Sequence, residues 1–262
     1  MTTAIVMSAL LALSLGCFAW LMIPRTKLLF NAKPDARFDQ YFERLKGTLK
    51  FAIGQWRMPR DPIAGLAHIF IFSGFMVLTI ATTTHFAHAY STDWHFPGFG
   101  GALGDVYSLV KDIFEMLVLL GVIYGLWRRL KPVPSRVGRS GEGVFVLCMI
   151  FVLMVTDFLI YGGTLAATNA SGLPWNPGGH VAALVLAPLG QSAELIGQIS
   201  YWVHCIAVLV FLNFLPIGKH FHVITGIPKV FFRELRPYGA VPKTDLEEAE
   251  SFGMRSTADL NW

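Results

Sequence analysis

The sequence predicts an all-α integral membrane protein, a bundle of five transmembrane helices with the N-terminus outside and the C-terminus in the cytoplasm. Three observations predict it. Of 262 residues, 54% are hydrophobic and only 15% are charged, too apolar a balance for a soluble domain, so the excess must face lipid. Five apolar runs, roughly 4–23, 63–89, 105–127, 143–163 and 195–217, reach the ~20 residues that a helix needs to cross a hydrocarbon core. Lys and Arg, finally, crowd into alternate connections, as cytoplasmic loops require.

The first run has no Lys or Arg before it and is longer than the apolar core of a signal peptide, so it reads as a retained helix, ended by Pro24. Nine basic residues follow within 25–60, five lie within 128–139 and six from Lys219 onward, twenty of the twenty-one in the chain. The connections between helices two and three and between four and five hold none, which sets the orientation. The exception is Lys111, which this topology places near the outer end of helix three.

Between helices one and two, Phe38, Tyr41, Phe42, Leu45, Leu49 and Phe51 recur at helical spacing among charges. They predict an amphipathic cytoplasmic helix, lying on the membrane or packed on a partner domain. The outer connections carry turn signals with interfacial aromatics, as in Trp94, Pro97 and Gly98 and in Pro174, Trp175 and Pro177. After Pro237 the chain turns acidic through Asp245, Glu247, Glu248 and Glu250. Residues 1–236 are thus expected to form the membrane domain and 237–262 a cytoplasmic linker. Cys17, Cys148 and Cys205 are scattered through apolar runs as packing residues, so no disulfide framework or iron–sulfur cluster is expected within the chain.

Ionisable residues inside apolar spans are costly and each is a functional hypothesis. Helix two carries His68, His85 and His88; helix five carries His204, and its cytoplasmic extension His220 and His222. At about 100° and 1.5 Å per residue, His204 and His222 share a helix face about 27 Å apart, and His68 and His85 stand about 26 Å apart on a helix running the other way. Two rungs follow, His68 with His222 and His85 with His204. Paired neutral imidazoles on facing helices suit the axial coordination of haem iron. The alternative is simple hydrogen bonding between helices, and a metal-transport site is disfavoured because no carboxylate is expected at the same depth. His220 lies about 160° from His204 around the helix, so His222 is preferred and His220 is the alternative; His88 ranks behind His85.

The segment from His204 through Pro216 and Lys219 to His222 resembles the last helix of the respiratory nitrate reductase gamma subunit, and Gly65–Phe75, containing His68, resembles its second helix. Where that family has its second ligand on helix two, this chain has Leu78. His85 lies about 260° round from His68, against about 280° for the family's spacing. The stretches from Gln55 to Arg60 and from Leu215 to Pro228, with the acidic linker, resemble the membrane module of heterodisulfide-reductase-like iron–sulfur oxidoreductases, including dehydrogenases served by electron-transfer flavoprotein. In that family iron–sulfur domains follow the linker, so the chain reads as a piece of a longer protein or a subunit that docks one.

The resemblance implies one or two b haems, and electron exchange between a cytoplasmic iron–sulfur or flavoprotein partner and membrane quinone. It places the protein in the inner membrane of a prokaryote, among lipid and with no nucleic-acid partner. Lys111 is the expected proton or hydrogen-bond donor to quinone, lining a site with His85 and with Asp112 or Glu115; the alternative is a snorkelling lysine or one paired with Glu115 at i+4. Asp157 and Glu194 are left without a role. Two other classes stay open, an ion or solute transporter and a haem-free anchor subunit.

Overall fold

The computed structural model describes residues 1–32, 37–130, 141–168 and 175–236; the linker predicted over 237–262 lies outside them. Eight α-helices carry the fold: α1 (Thr2–Asn31), α2 (Tyr41–Thr48), α3 (Pro62–His88), α4 (Gly101–Leu130), α5 (Gly141–Thr168), α6 (Pro177–Leu186), α7 (Ser192–Phe214) and α8 (His222–Phe231), with no strand among the described residues. Four of them, α1, α3, α5 and α7, are long and apolar enough to cross a membrane, as in a multi-pass membrane protein. The expected third span corresponds to α4, which is 30 residues long but has its apolar stretch interrupted by Lys111, Asp112 and Glu115.

The described residues divide into two compact units, one drawn from 1–15 and 57–214, the other from 16–56 and 215–236. In the first, α3 packs on α4, α4 on α5, and α5 on α6 and α7. Leu78, Val118, Val122 and Met154 form its central apolar cluster. Leu78 is therefore a packing residue between α3, α4 and α5. Small residues let the backbones approach: a Cβ on Gly163 of α5 would meet the Ala193 carbonyl and the Gly197 backbone of α7, and one on Gly74 of α3 would meet Val118 of α4. Where neighbouring lipid is as apolar as a leucine side chain, such close packing is a main source of helix association.

In the second unit, Arg44 on α2 is buried and donates to the carbonyls of Asp39 (2.8 Å), Phe231 (3.2 Å) and Arg233 (2.8 Å) and to the Asp39 carboxylate (2.6 Å). Arg37 adds a bond to the Phe232 carbonyl at 2.8 Å, and Phe38 and Tyr41 meet Phe232 and Phe231 edge to face. One planar fork thus satisfies the carbonyls left open at the end of α8. The amphipathic segment exists as α2 continued by a π turn over Leu49–Ile53.

Three expectations are corrected. Pro24 does not end α1, which runs on to Asn31 with Pro24 inside it. Proline removes the N–H that would reach the Trp20 carbonyl and crowds the preceding turn, yet the helix runs on; beside it Arg25 donates to the Leu21 carbonyl (3.4 Å), and the Thr26 hydroxyl lies 3.1 Å from the Met22 carbonyl and 3.0 Å from that of Ile23. Conversely, helix five does not extend through His222. α7 stops at Phe214, a turn containing Pro216 and Gly218 follows, and His222 opens a new helix, so continuous-helix geometry does not relate His204 to His222. Proline disfavours helical backbone at the residue before it, which is reason enough for the break. The connection read as an outer turn also contains a helix, α6.

Candidate functional site

Four helices of the first unit converge on one buried polar cluster. From α4 come Lys111 and Glu115, one turn apart; from α5 Thr156 and Asp157; from α3 His85; from α7 Tyr201 and His204. Lys111 Nζ donates to Glu115 Oε1 at 2.8 Å and also to Asp157 Oδ2. The other oxygen of Asp157 lies 2.6 Å from His85 Nε2. The His85 and His204 rings stand 5.1 Å apart between centroids, inclined at 66°. The Tyr201 hydroxyl donates to the His85 backbone carbonyl at 3.0 Å, tying α7 to α3 at this level.

The hydrogen-bond partners of each imidazole assign its proton to one ring nitrogen. The Thr156 hydroxyl has backbone carbonyls of Val152 (2.7 Å) and Leu153 (3.1 Å) to donate to. Its lone pair is left to accept from His204 Nδ1, 3.1 Å away. His204 Nε2 is then a lone-pair nitrogen, and it is buried with no hydrogen-bond partner. Such an orphan is costly unless something binds it. His85 is the opposite case: facing a carboxylate, its Nε2 carries the proton. In the second unit, His222 Nδ1 donates to the Lys219 carbonyl at 3.0 Å, which leaves its exposed Nε2 as the lone pair. Anchoring of one ring nitrogen is what orients a metal-bound imidazole through the other.

His204 and His222 therefore fit the role of axial ligands to a haem iron. His85 fits only on giving up Asp157, because the nitrogen nearest the cluster is the one the carboxylate holds. His88 donates to the Trp94 carbonyl at 3.0 Å and secures the loop after α3. His68 lies on the first unit and His222 on the second. His220 is half-buried, 6.0 Å from the His222 ring.

Of the residues expected beside Lys111, His85 and Glu115 are there. Asp112 is not: its carboxylate accepts from the backbone N–H groups of Gly178 (2.7 Å) and Gly179 (3.2 Å) at the start of α6. The anion satisfies open donors at a helix N-terminus and sits at the positive end of its dipole. Lys111 does not snorkel; its side chain is 14% exposed, and its partners are Glu115, as the i+4 spacing suggests, and Asp157. Asp157 is the residue that sequence reasoning passed over, and the expectation that no carboxylate shares the histidines' depth is corrected by it. Donor atoms of His85, Asp157 and His204 lie within 4.8 Å of one another. Glu194 stays exposed, bonded to Gln198 at 3.2 Å.

No family model matches the chain, and no solved structure matches it. Two curated proteins are similar to it. "Probable iron-sulfur-binding oxidoreductase FadF" of Bacillus subtilis is 29% identical over 272 residues, covering 99% of this chain and 38% of the relative. "EtfAB:quinone oxidoreductase" of Syntrophomonas wolfei is 27% identical over 238 residues, covering 86% of this chain and 33% of the relative. The chain thus spans about a third of the length of each. Both relatives are named as oxidoreductases, one of them for quinone.

Proposed function

We propose that this chain is the membrane module of a quinone-linked oxidoreductase and carries electrons between a cytoplasmic iron–sulfur or flavoprotein partner and quinone in the inner membrane of a prokaryote. The observation that carries the reading is the buried Lys111, Asp157 and His85 array set against a ligand-ready His204. In the same proposal α4 is a fifth span, the N-terminus is outside, and the helices share the plan of the nitrate reductase gamma subunit. Haem b held by His204, with His85 as its second ligand on release of Asp157, would supply a one-electron carrier; His222, its Nδ1 anchored on Lys219, is a further candidate ligand. Electron-transfer flavoprotein as donor is suggested by the name of the Syntrophomonas relative.

The residues themselves divide the work. An ammonium has three N–H donors, and Lys111 spends two on Glu115 and Asp157. The third serves the quinone carbonyl. Carboxylates on either side keep the lysine charged where lipid and protein exclude water. Tyr201 ties the backbone from which His85 projects to α7 at the level of the lysine.

The test is a dithionite-reduced minus oxidised absorption spectrum with pyridine-haem quantitation per chain. The expected result is a b-type spectrum that His204→Ala diminishes. No haem in folded, haem-supplied protein overturns the redox reading. A second reading, transport of a divalent ion, is favoured by the clustered His85, Asp157 and His204 donors; it predicts stoichiometric Zn2+ or Mn2+ binding without a chromophore.

A further inference from the structure

The helical segment from Tyr41 to Ile53 carries an apolar face that its own unit leaves uncovered. Phe42 (82% exposed), Leu45, Leu49 (55%) and Ile53 are all exposed and follow one another at intervals of three, four and four residues, and Trp56 (68%) follows in the turn after the helix. That spacing lines one face of a helix. The other side is engaged: Arg44, Gly47 and Thr48 are buried, with Arg44 bonded to the end of α8 and the Arg233 guanidinium lying where a side chain on Gly47 would go. Lys46 and Lys50 border the stripe, and Lys50 stands over the rings of Phe51 (5.6 Å) and Trp56 (5.0 Å).

We propose that this segment lies flat in the lipid–water boundary, with Phe42, Leu45, Leu49, Ile53 and Trp56 sunk among the upper acyl chains and Lys46 and Lys50 at the level of anionic headgroups. Three observations choose lipid over a protein partner. The segment is tethered at both ends to helices long enough to cross the bilayer, since α1 ends at Asn31 and α3 begins at Pro62, so about 20 Å of helix is tied close to the surface from which they emerge. Its large apolar side chains are flanked by lysines, the pattern of an interfacial helix. Trp56 closes the stripe, and tryptophan concentrates at that boundary. A soluble domain docked on the same face would leave the lysines facing protein and the stripe shielded from lipid.

The experiment places nitroxide labels on the full chain in phosphatidylcholine–phosphatidylglycerol nanodiscs, with the exposed Cys17 and Cys148 changed to Ala and the buried Cys205 retained. Labels go at Phe42→Cys, Leu49→Cys and Ile53→Cys, with Glu43→Cys for comparison. Collision rates with oxygen, which partitions into lipid, and with a water-soluble nickel chelate are read at each site. The expected result is an oxygen-to-nickel ratio several-fold higher at the three stripe positions than at Glu43→Cys. Nickel access equal to that of Glu43→Cys overturns the proposal in favour of a solvated face. Immobilised labels shielded from both reagents overturn it in favour of a protein partner or a second copy. Leu45→Cys replaces any stripe position whose variant does not fold.

Discussion

His204 Nδ1 and the Thr156 hydroxyl lie 3.1 Å apart, a buried contact between α7 and α5 that leaves the other nitrogen of the ring without a protein partner. Thr156→Val keeps the shape of the side chain and deletes the acceptor. The expected outcome is a loss of about 1–3 kcal/mol of stability from the stranded donor, measured by denaturant titration in detergent. Bound haem should persist with an altered absorption spectrum, because the ring keeps its place and loses its anchor.

Lys111→Met should lower quinone-analogue turnover by at least about tenfold, since a positioned proton or hydrogen-bond donor contributes on the order of 10²–10⁴. Haem content should hold. Asp157→Asn should give a comparable loss, together with lower stability, because the ammonium keeps Glu115 alone and a buried pair broken on one side costs about 3–5 kcal/mol. Glu194→Gln, exposed and outside the cluster, is the control expected to leave turnover unchanged.

Gly163→Val should sharply reduce the yield of folded protein in the membrane, because its first side-chain atom would fall on the Ala193 carbonyl and the Gly197 backbone. Overpacking of this kind costs about 1–3 kcal/mol, and more when the obstacle is backbone. Size-exclusion profiles of the extracted protein provide the measurement. Gly141→Ala, in open space by the same geometry, should be tolerated.

Arg44 and Asp39 make the second unit sensitive to acid. The hydrogen bond from Arg44 holds the exposed Asp39 carboxyl below its ordinary value. A carboxyl depressed in the folded state contributes stability that is present above the unfolded value, about 3.9, and lost as pH falls through the folded one. Proteolysis between α2 and α8 should therefore accelerate below pH ~4, and Asp39→Asn should remove that step. Arg44→Lys should open the same region at neutral pH, because an ammonium cannot reproduce the fork that reaches three carbonyls.

Much of the fold was legible because lipid-facing helices announce themselves as apolar runs. Four of the five predicted spans fall on helices of spanning length and composition, each boundary within a few residues except at the end of α1. Prolines misled in both directions. Pro24 was read as a stop, although α1 runs on past it to Asn31, whereas Pro216 was read through, although α7 breaks before it. The i+4 pair of Lys111 and Glu115 was visible because it is local. The Asp157 contacts were not, since they join three helices and follow from no spacing within one. Its signal was nonetheless present: a lone carboxylate in the middle of a 28-residue apolar helix needs a cation. α6 was hidden by its Gly- and Pro-rich start, which reads as turn.

Gly163 of α5 lies close against Gly197 of α7, and Thr156 meets His204 seven residues away on each helix. The chain directions are opposed, so both steps of seven run the same way, two turns or about 10 Å along a shared seam. The glycine contact thus acts as the register mark for the imidazole. A slip of one turn there would carry His204 past its anchor by about 5 Å while leaving every residue of the polar cluster intact. Chemistry at this site is therefore exposed to mutation at two residues that have no functional group at all.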